Sequence, residues 1–287
     1  MIPPAFEYHR PTDIAGALGV IAEHGDEARV IAGGHSLIPM MKLRMVEIAH
    51  LIDLQDVADL KGISVGETIR IGAMVTQHDL INDEALAAAA PILREAALQI
   101  ADPQVRYCGT VGGNVANGDP GNDMPGLMQC LDATFTLVGP DGARDVPARE
   151  FYEAAYTTAR EDDEILTAIS FAKPAGGYAY EKQKRKIGDY ATAAAAVLIG
   201  KEGGKEGGKI TSASIAMTNL SDIPVFSEAA GDALKGSDGT GEALDKAVAA
   251  MLADIDPTED NRGPVEFKKH VAGVILRRAI ARAVDRA

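Results

Sequence analysis

Ala32-Gly33-Gly34-His35-Ser36-Leu37 and Thr110-Val111-Gly112-Gly113-Asn114 are the two stretches whose reading decides the fold. The first follows Ala28-Arg29-Val30-Ile31, a short apolar run that reads as a buried strand ending at Gly33-Gly34. Glycines there permit positive φ and bring backbone N–H groups close to an anion, and the Ser36 hydroxyl adds a donor. A tight turn between strand and helix would look the same in isolation. The second glycine pair, flanked by Thr110 and Asn114, shifts the balance. In a chain with few cations to spare, backbone amides can hold a diphosphate. No Gly-x-Gly-x-x-Gly joins a strand to a helix and no Gly-Lys-Ser/Thr ends a phosphate loop, which disfavours the Rossmann and P-loop readings.

Working outward, Asp13 precedes Ile14, Leu18 and Ile21 at helical spacing, and the pattern stops at His24-Gly25. His50 to Leu54 reads as a strand, and Ile63 to Ile71 as a hairpin about Gly66-Glu67. Thr76 caps a short helix through Leu80. Glu84 to Ile100 is helical in composition, with Pro91 kinking or dividing it. Asp102 to Asp123, rich in Gly, Asn and Asp, reads as one long functional loop. Ala133 to Val138 and Ile165 to Phe171 return to strand patterns.

Lys173-Pro174-Ala175-Gly176-Gly177 is a turn-rich break, so we expect domains at 1–175, itself in two parts of about 1–55 and 56–175, and at 176–287. Beyond it, Ala193 to Ile199 and Ile210 to Thr218 read as antiparallel strands joined by the solvated tandem Lys201-Glu-Gly-Gly-Lys-Glu-Gly-Gly. Leu244, Val248, Met251, Leu252 and Ile255 mark one helical face, and Pro264 starts a terminal helix on which Arg278, Arg282 and Arg286 form a stripe, read as solvated.

The chain has 287 residues, 28 basic and 42 acidic, for a formal charge of −14. Nucleic acid, which needs clustered Lys and Arg against phosphates, is excluded as a partner. No basic leader precedes an apolar stretch and no run approaches a membrane span, so a cytoplasmic protein is expected. Cys108 and Cys130 are too few to ligate an iron–sulfur cluster, which would have to sit on another chain.

Among single residues, Asp123 can accept from a sugar or ribityl hydroxyl, or bond its own turn backbone. Asp119, Asn122 and Asp123 do not keep the spacing of a calcium loop, and the histidines show no His-x-x-x-His or other recognisable metal spacing, so no metal is expected in this chain. Lys182, Lys184, Arg185 and Lys186 form the densest basic cluster, suited to a phosphate or an acidic partner, or simply solvated. Tyr190 can stack on a planar ring or pack in a core. His35, in the first glycine loop, is expected to position phosphate or ring atoms and not to act as a base. No Gly-x-Ser-x-Gly elbow supplies a hydrolytic serine.

These residues, together with the opening Tyr8-His9-Arg10-Pro11-Thr12, the stretch Ala101-Asp102-Pro103-Gln104-Val105-Arg106 and the C-terminal His270-Val-Ala-Gly-Val-Ile-Leu-Arg-Arg-Ala279, carry a resemblance over almost the whole chain. The sequence resembles the medium, FAD-binding flavoprotein subunit of molybdenum hydroxylases related to xanthine dehydrogenase. Lys184-Arg185-Lys186-Ile187-Gly188-Asp189-Tyr190-Ala191-Thr192 is most similar to the aerobic carbon monoxide dehydrogenase branch.

The resemblance implies an α+β fold: a bipartite FAD-binding domain of the vanillyl-alcohol-oxidase type, then a small α+β domain with an antiparallel sheet. It implies that both glycine loops, Ala32 to Leu37 and Thr110 to Asn114, hold the FAD diphosphate. It also implies that Asp123 meets the ribityl or ribose region, Leu166 contacts the flavin, Lys182 lies near it and Tyr190 stacks on its ring. The implied partners are a small subunit with [2Fe–2S] clusters and a large subunit with a molybdenum–copper cofactor, in a dimer of heterotrimers, with room for peripheral membrane association of the complex. Electrons would pass from the clusters to noncovalent FAD and on to a quinone-type acceptor. The same motifs also suit a relative acting on an N-heterocycle or aldehyde, or a stand-alone FAD oxidoreductase.

Overall fold

The computed structural model describes residues 2–202 and 208–287. The N-terminal part opens with a three-stranded parallel sheet in the order Glu7–His9, His50–Asp53, Ala28–Ile31. The helix Ile14–His24 covers it, starting where the Asp13 carboxylate accepts from the Gly16 amide and ending at Gly25, whose φ is +51°. Ala17 and Ile21 bury the helix against Ile52 and Leu54. The strand Ala28–Ile31 therefore delivers the first glycine loop at its C-terminal end.

A five-stranded antiparallel sheet follows, ordered Ile63–Ser64, Thr68–Gly72, Ile165–Ala172, Thr134–Gly139, Gly142–Pro147. Short helices pack on it. Thr76 makes a reciprocal capping box with Asp79 at the start of Gln77–Asn82. Pro91 divides the Ala-rich stretch into Glu84–Ala89 and Pro91–Ala97 and occupies the first helical position of the second, where its missing N–H costs nothing.

The expected long loop at 102–123 is a correction, because most of it is helical. Asp102 caps Pro103–Cys108, Thr110 caps Val111–Ala116, and Asn122 precedes Asp123–Cys130. Glycine pairs lower helix propensity by about 1 kcal/mol per residue, which hid the middle helix in the sequence. Tertiary packing overrides that cost here, since Val111, Gly112 and Val115 are all buried.

A four-stranded antiparallel sheet, ordered Gly177–Gln183, Ala193–Glu202, Lys209–Thr218, Val225–Phe226, forms the C-terminal part. The strand Ala193–Glu202 is buried on both faces. Ala193, Ala195, Val197 and Ile199 meet the helices, whereas Ala194 and Ala196 meet the N-terminal core. Burial on both sides explains a continuous apolar run where a half-exposed strand would alternate. Helices Glu228–Leu234, Gly241–Asp254 and Val265–Arg286 cover the outer face. Val271, Ile275, Leu276 and Ile280 are buried in that layer, each stabilising it by about 1.5–3 kcal/mol. Residues 203–207 of the tandem hairpin segment lie outside the described residues.

Candidate functional site

The two glycine loops meet. A Cβ built on Gly33 would stand 2.4 Å from the Cys108 carbonyl oxygen and 2.7 Å from Gly109 Cα, and one on Gly113 would stand 3.4 Å from Ala32 Cβ. One on Gly112 would stand 2.5 Å from Ala73 Cβ. Only residues without side chains permit this approach of backbone to backbone. Between the loops opens a crevice of about 490 Å³. It runs from the parallel sheet, past the strand Ile165–Ala172, to the C-terminal sheet's Lys182 and the segment of Tyr190. Of the residues nominated from sequence, all but Val111 line it; Val111 is fully buried, its side chain in the hydrophobic core.

The loops differ in the hydrogen bonds they have left to give. Among the described residues, the amides of Gly33, Gly34, His35, Ser36 and Leu37 meet no acceptor of the chain. Gly34 has φ +73°, the left-handed value that turns successive amides toward one side. His35 and Ser36 are exposed, and the Ser36 hydroxyl makes no cap bond, leaving it free. In the second loop the amides are engaged. Val111 N–H donates to Val75, Gly112 N–H to Ala73, Gly113 N–H to Thr110 Oγ1 and Asn114 N–H to the Thr110 carbonyl. The expectation of a second set of accessible amides is thus corrected: helix and sheet bonding consume them. This segment supplies close approach, and the Asn114 side chain, whose Oδ1 accepts from Met124 N–H, keeps its Nδ2 as a donor.

Asp123 begins a helix and is 4% exposed. Its Oδ2 lies 2.8 Å from Lys182 Nζ, and its Oδ1 accepts from the Tyr180 hydroxyl. Burial pushes the Asp123 carboxyl above its ordinary value, against the pull of Lys182 and Tyr180. Tyr180 is held well above its ordinary value by burial and by that carboxylate. Lys182, for which the basic cluster left a phosphate, an acidic partner or a solvated face open, has a side chain only 1% exposed, which rules out the solvated face for this residue. The strand register with Ala194 turns Lys182 inward, and Lys184 follows on the same face, its ammonium pulled below the ordinary value by burial and by Lys182.

Leu166 sits at a bulge of the strand Ile165–Ala172 and is 5% exposed. Tyr190 packs against Gly121, where an added Cβ would fall 2.7 Å from the ring's Cδ1. The Arg262 guanidinium lies 5.5 Å from its ring centroid. Burial and Asp119 push the Tyr190 hydroxyl up to about 12.

Sequence reasoning missed Gln77. It is 2% exposed, lines the crevice, and neither its Nε2 nor its Oε1 has a partner in the chain. A buried amide left unsatisfied costs about 1–3 kcal/mol, so a polar ligand atom is the natural complement. No pattern announced it; Thr76 marked only the start of its helix. Five open amides, a free hydroxyl, Asn114 and Gln77 make a donor-rich hollow that fits a dinucleotide's diphosphate and polar ring edge.

Residues 4–174 match the family described as FAD binding domain in molybdopterin dehydrogenase, and residues 178–283 the CO dehydrogenase flavoprotein C-terminal domain. The chain is 55% identical to the carbon monoxide dehydrogenase medium chain of Afipia carboxidovorans, covering 100% of this chain and 99% of the relative. It is 43% identical to the carbon monoxide dehydrogenase medium chain of Hydrogenophaga pseudoflava, covering 98% and 97%. A crystal structure of the Cu,Mo-CO dehydrogenase in its cyanide-inactivated form contains a chain that superposes with a TM-score of 0.96 at 55% identity, covering 100% of both chains. The crevice therefore lies in a known setting, and the chain belongs to the FAD-binding flavoproteins of the molybdenum hydroxylases, in the carbon monoxide dehydrogenase medium-chain group.

Proposed function

We propose that this chain is the FAD-carrying electron-transfer subunit of a Cu,Mo-type carbon monoxide dehydrogenase. The single observation that carries the reading is the convergence of Gly33 and Gly109–Gly113 on one crevice whose first loop has five unpartnered amides. FAD, when bound, accepts electrons and passes them on, which is chemistry the protein's own side chains cannot supply.

The chain's residues bind and orient. The amides of Gly33 to Leu37 and the Ser36 hydroxyl hold the diphosphate. Gln77 and Asn114 satisfy polar edges, and Leu166 and Tyr190 wall the ring. Asp123, tied to Lys182 and Tyr180, fixes the position of a buried cation beside the ribityl or ring region, and each carboxylate oxygen still has a lone pair for a hydroxyl. None of these groups acts as a nucleophile, consistent with a relay. No helix among the described residues is long and apolar enough to cross a membrane.

In this reading the chain works with a small [2Fe–2S] subunit and a large molybdenum–copper subunit, as a dimer of heterotrimers in the cytoplasm, and delivers electrons to a quinone-type acceptor. Purification of the native complex tests it, with a visible spectrum, extractable cofactor, the identity of co-purifying chains and their metals. We expect one FAD per copy and copper beside molybdenum. A complex without flavin overturns the reading, and turnover by the isolated chain favours a stand-alone oxidoreductase.

A further inference from the structure

Three imidazoles converge beside the parallel sheet, and none of them lines the crevice. His9 ends the strand Glu7–His9, His24 ends the helix Ile14–His24, and His50 begins the strand His50–Asp53. One ring nitrogen of each lies within 4.8 Å of the other two. His9 Nε2 is 3.0 Å from His50 Nδ1, and the His24 and His50 rings stack with centroids 3.6 Å apart. All three are partly buried. Two carboxylates stand beside them: Glu7 Oε2 is 3.6 Å from His50 Nδ1, and Glu23 Oε2 is 3.9 Å from His24 Nε2.

The chemistry of this group is that of a cation site. A single His–His hydrogen bond accounts for one pair of nitrogens, and His24 stacks on His50 with Glu23 Oε2 3.9 Å from its Nε2. Three neutral imidazoles offer three lone pairs that suit late first-row divalent ions. His24 also closes a helix, whose C-terminal dipole favours positive charge. A tetrahedral zinc ion, with bonds of about 2.0–2.1 Å, needs its ligand atoms roughly 3.3 Å apart. Ring rotation at partly exposed side chains covers the remaining distance, and Glu7 is placed to complete the set or to orient His50.

We propose that His9, His24 and His50, with Glu7, form a binding site for a divalent late first-row metal ion, zinc above all. The ion would join two strands and the covering helix on one face of the sheet. His50 pairs with Ala28, and the loop begins beyond Ile31, about 10 Å along the strand. None of the three histidines lines the cofactor crevice, although Ala28, the strand partner of His50, does, so the site is distinct from the crevice but borders it.

The test is titration of the untagged full-length flavoprotein with zinc chloride by calorimetry, alongside H24Q, E7Q and H9Q/H24Q/H50Q. We expect saturation at one zinc per chain, at least 10-fold weaker binding in H24Q, a smaller loss in E7Q, and none above background in the triple variant. Cobalt substitution should give the intense visible bands of a tetrahedral ion, and zinc should raise the melting temperature of the wild type but not of H24Q. His24 is partly exposed at a helix end, so H24Q is expected to fold even if the triple variant does not. Equal affinity in H24Q and wild type, or no saturable binding by the wild type, overturns the proposal.

Discussion

Gly33 and Gly109 touch across 76 positions of sequence: a Cβ on Gly33 would lie 2.7 Å from Gly109 Cα and 2.4 Å from the Cys108 carbonyl oxygen. Backbone cannot yield there as a flexible side chain could. Gly33→Val should therefore push the two loops apart and widen the hollow in which the free amides stand. We expect FAD retention to fall by at least about 10-fold, equivalent to about 1.4 kcal/mol. Flavin absorbance per chain after gel filtration checks this, with circular dichroism to confirm folding. Retention equal to the wild type would separate the amides from the cofactor.

The buried pair Asp123–Lys182 makes a second, independent claim. Removing one partner strands a charge out of water, which typically costs about 3–5 kcal/mol. Lys182→Met should lower stability by that order, because burial already holds the Asp123 carboxyl above its ordinary value and the lysine is the main counterweight. The double variant D123N/K182M should regain a large part of the loss, since no ionised group is left buried. Urea denaturation of the wild type, D123N, K182M and the double variant gives the coupling. An additive double variant would show that the pair does not act as a unit.

Much of the frame was visible in single residues. Asp13 and Thr76 each accept the capping hydrogen bond expected of them, and Pro91 divides its helix. The hidden parts have physical reasons. Asp102-Pro103 carried the ordinary signature of a helix start, yet the surrounding glycines masked it. The strand Ala193–Glu202 lost its alternation because both its faces are covered. In the crevice, the small residues and Asp123 stood out by type, whereas Gln77 gave no sign, being one polar residue after a cap. The three histidines come from three elements, so no local spacing could group them.

The arginine stripe on the terminal helix was read as solvated; Arg278 is exposed as expected, whereas Arg282 and Arg286 are engaged in ion pairs. Arg282 bonds both Glu95, on the helix Pro91–Ala97, and Glu181, on the strand Gly177–Gln183; Arg286 Nη1 lies 2.9 Å from a Glu95 oxygen. A separation of 187 positions kept Glu95 out of view of any local pattern. The network ties the terminal helix to the N-terminal part. Because Arg282 is about one-third exposed, solvent screening limits its worth, and Arg282→Ala should cost about 1 kcal/mol. The loss should shrink in high salt. Proteolysis near residues 173–177 should speed up in the variant, and an unchanged digestion rate would argue that the network does not hold the two parts together.

Glu164, in the crevice wall, is held by Arg144. Its carboxylate receives Arg144 through both oxygens, Nε to Oε1 at 2.5 Å and Nη2 to Oε2 at 2.7 Å, and also accepts from the Glu161 amide. The Arg144 guanidinium holds the Glu164 carboxyl below its ordinary value, despite the opposing effect of burial. A carboxyl depressed in the folded state binds fewer protons than in the unfolded chain, so its contribution is fully present above the unfolded value of about 4.3. It is lost as pH falls through that value and then through the lower folded one. Arg144→Ala should destabilise the protein at pH 7, because a buried carboxylate loses a charged donor, by an amount that solvent screening of the exposed guanidinium limits. The variant should also lose less further stability than the wild type on moving from pH 7 to about pH 4, since its Glu164 titrates nearer the unfolded value. Urea midpoints at the two pH values measure both effects. Parallel losses in wild type and variant would remove Glu164 from the acid response.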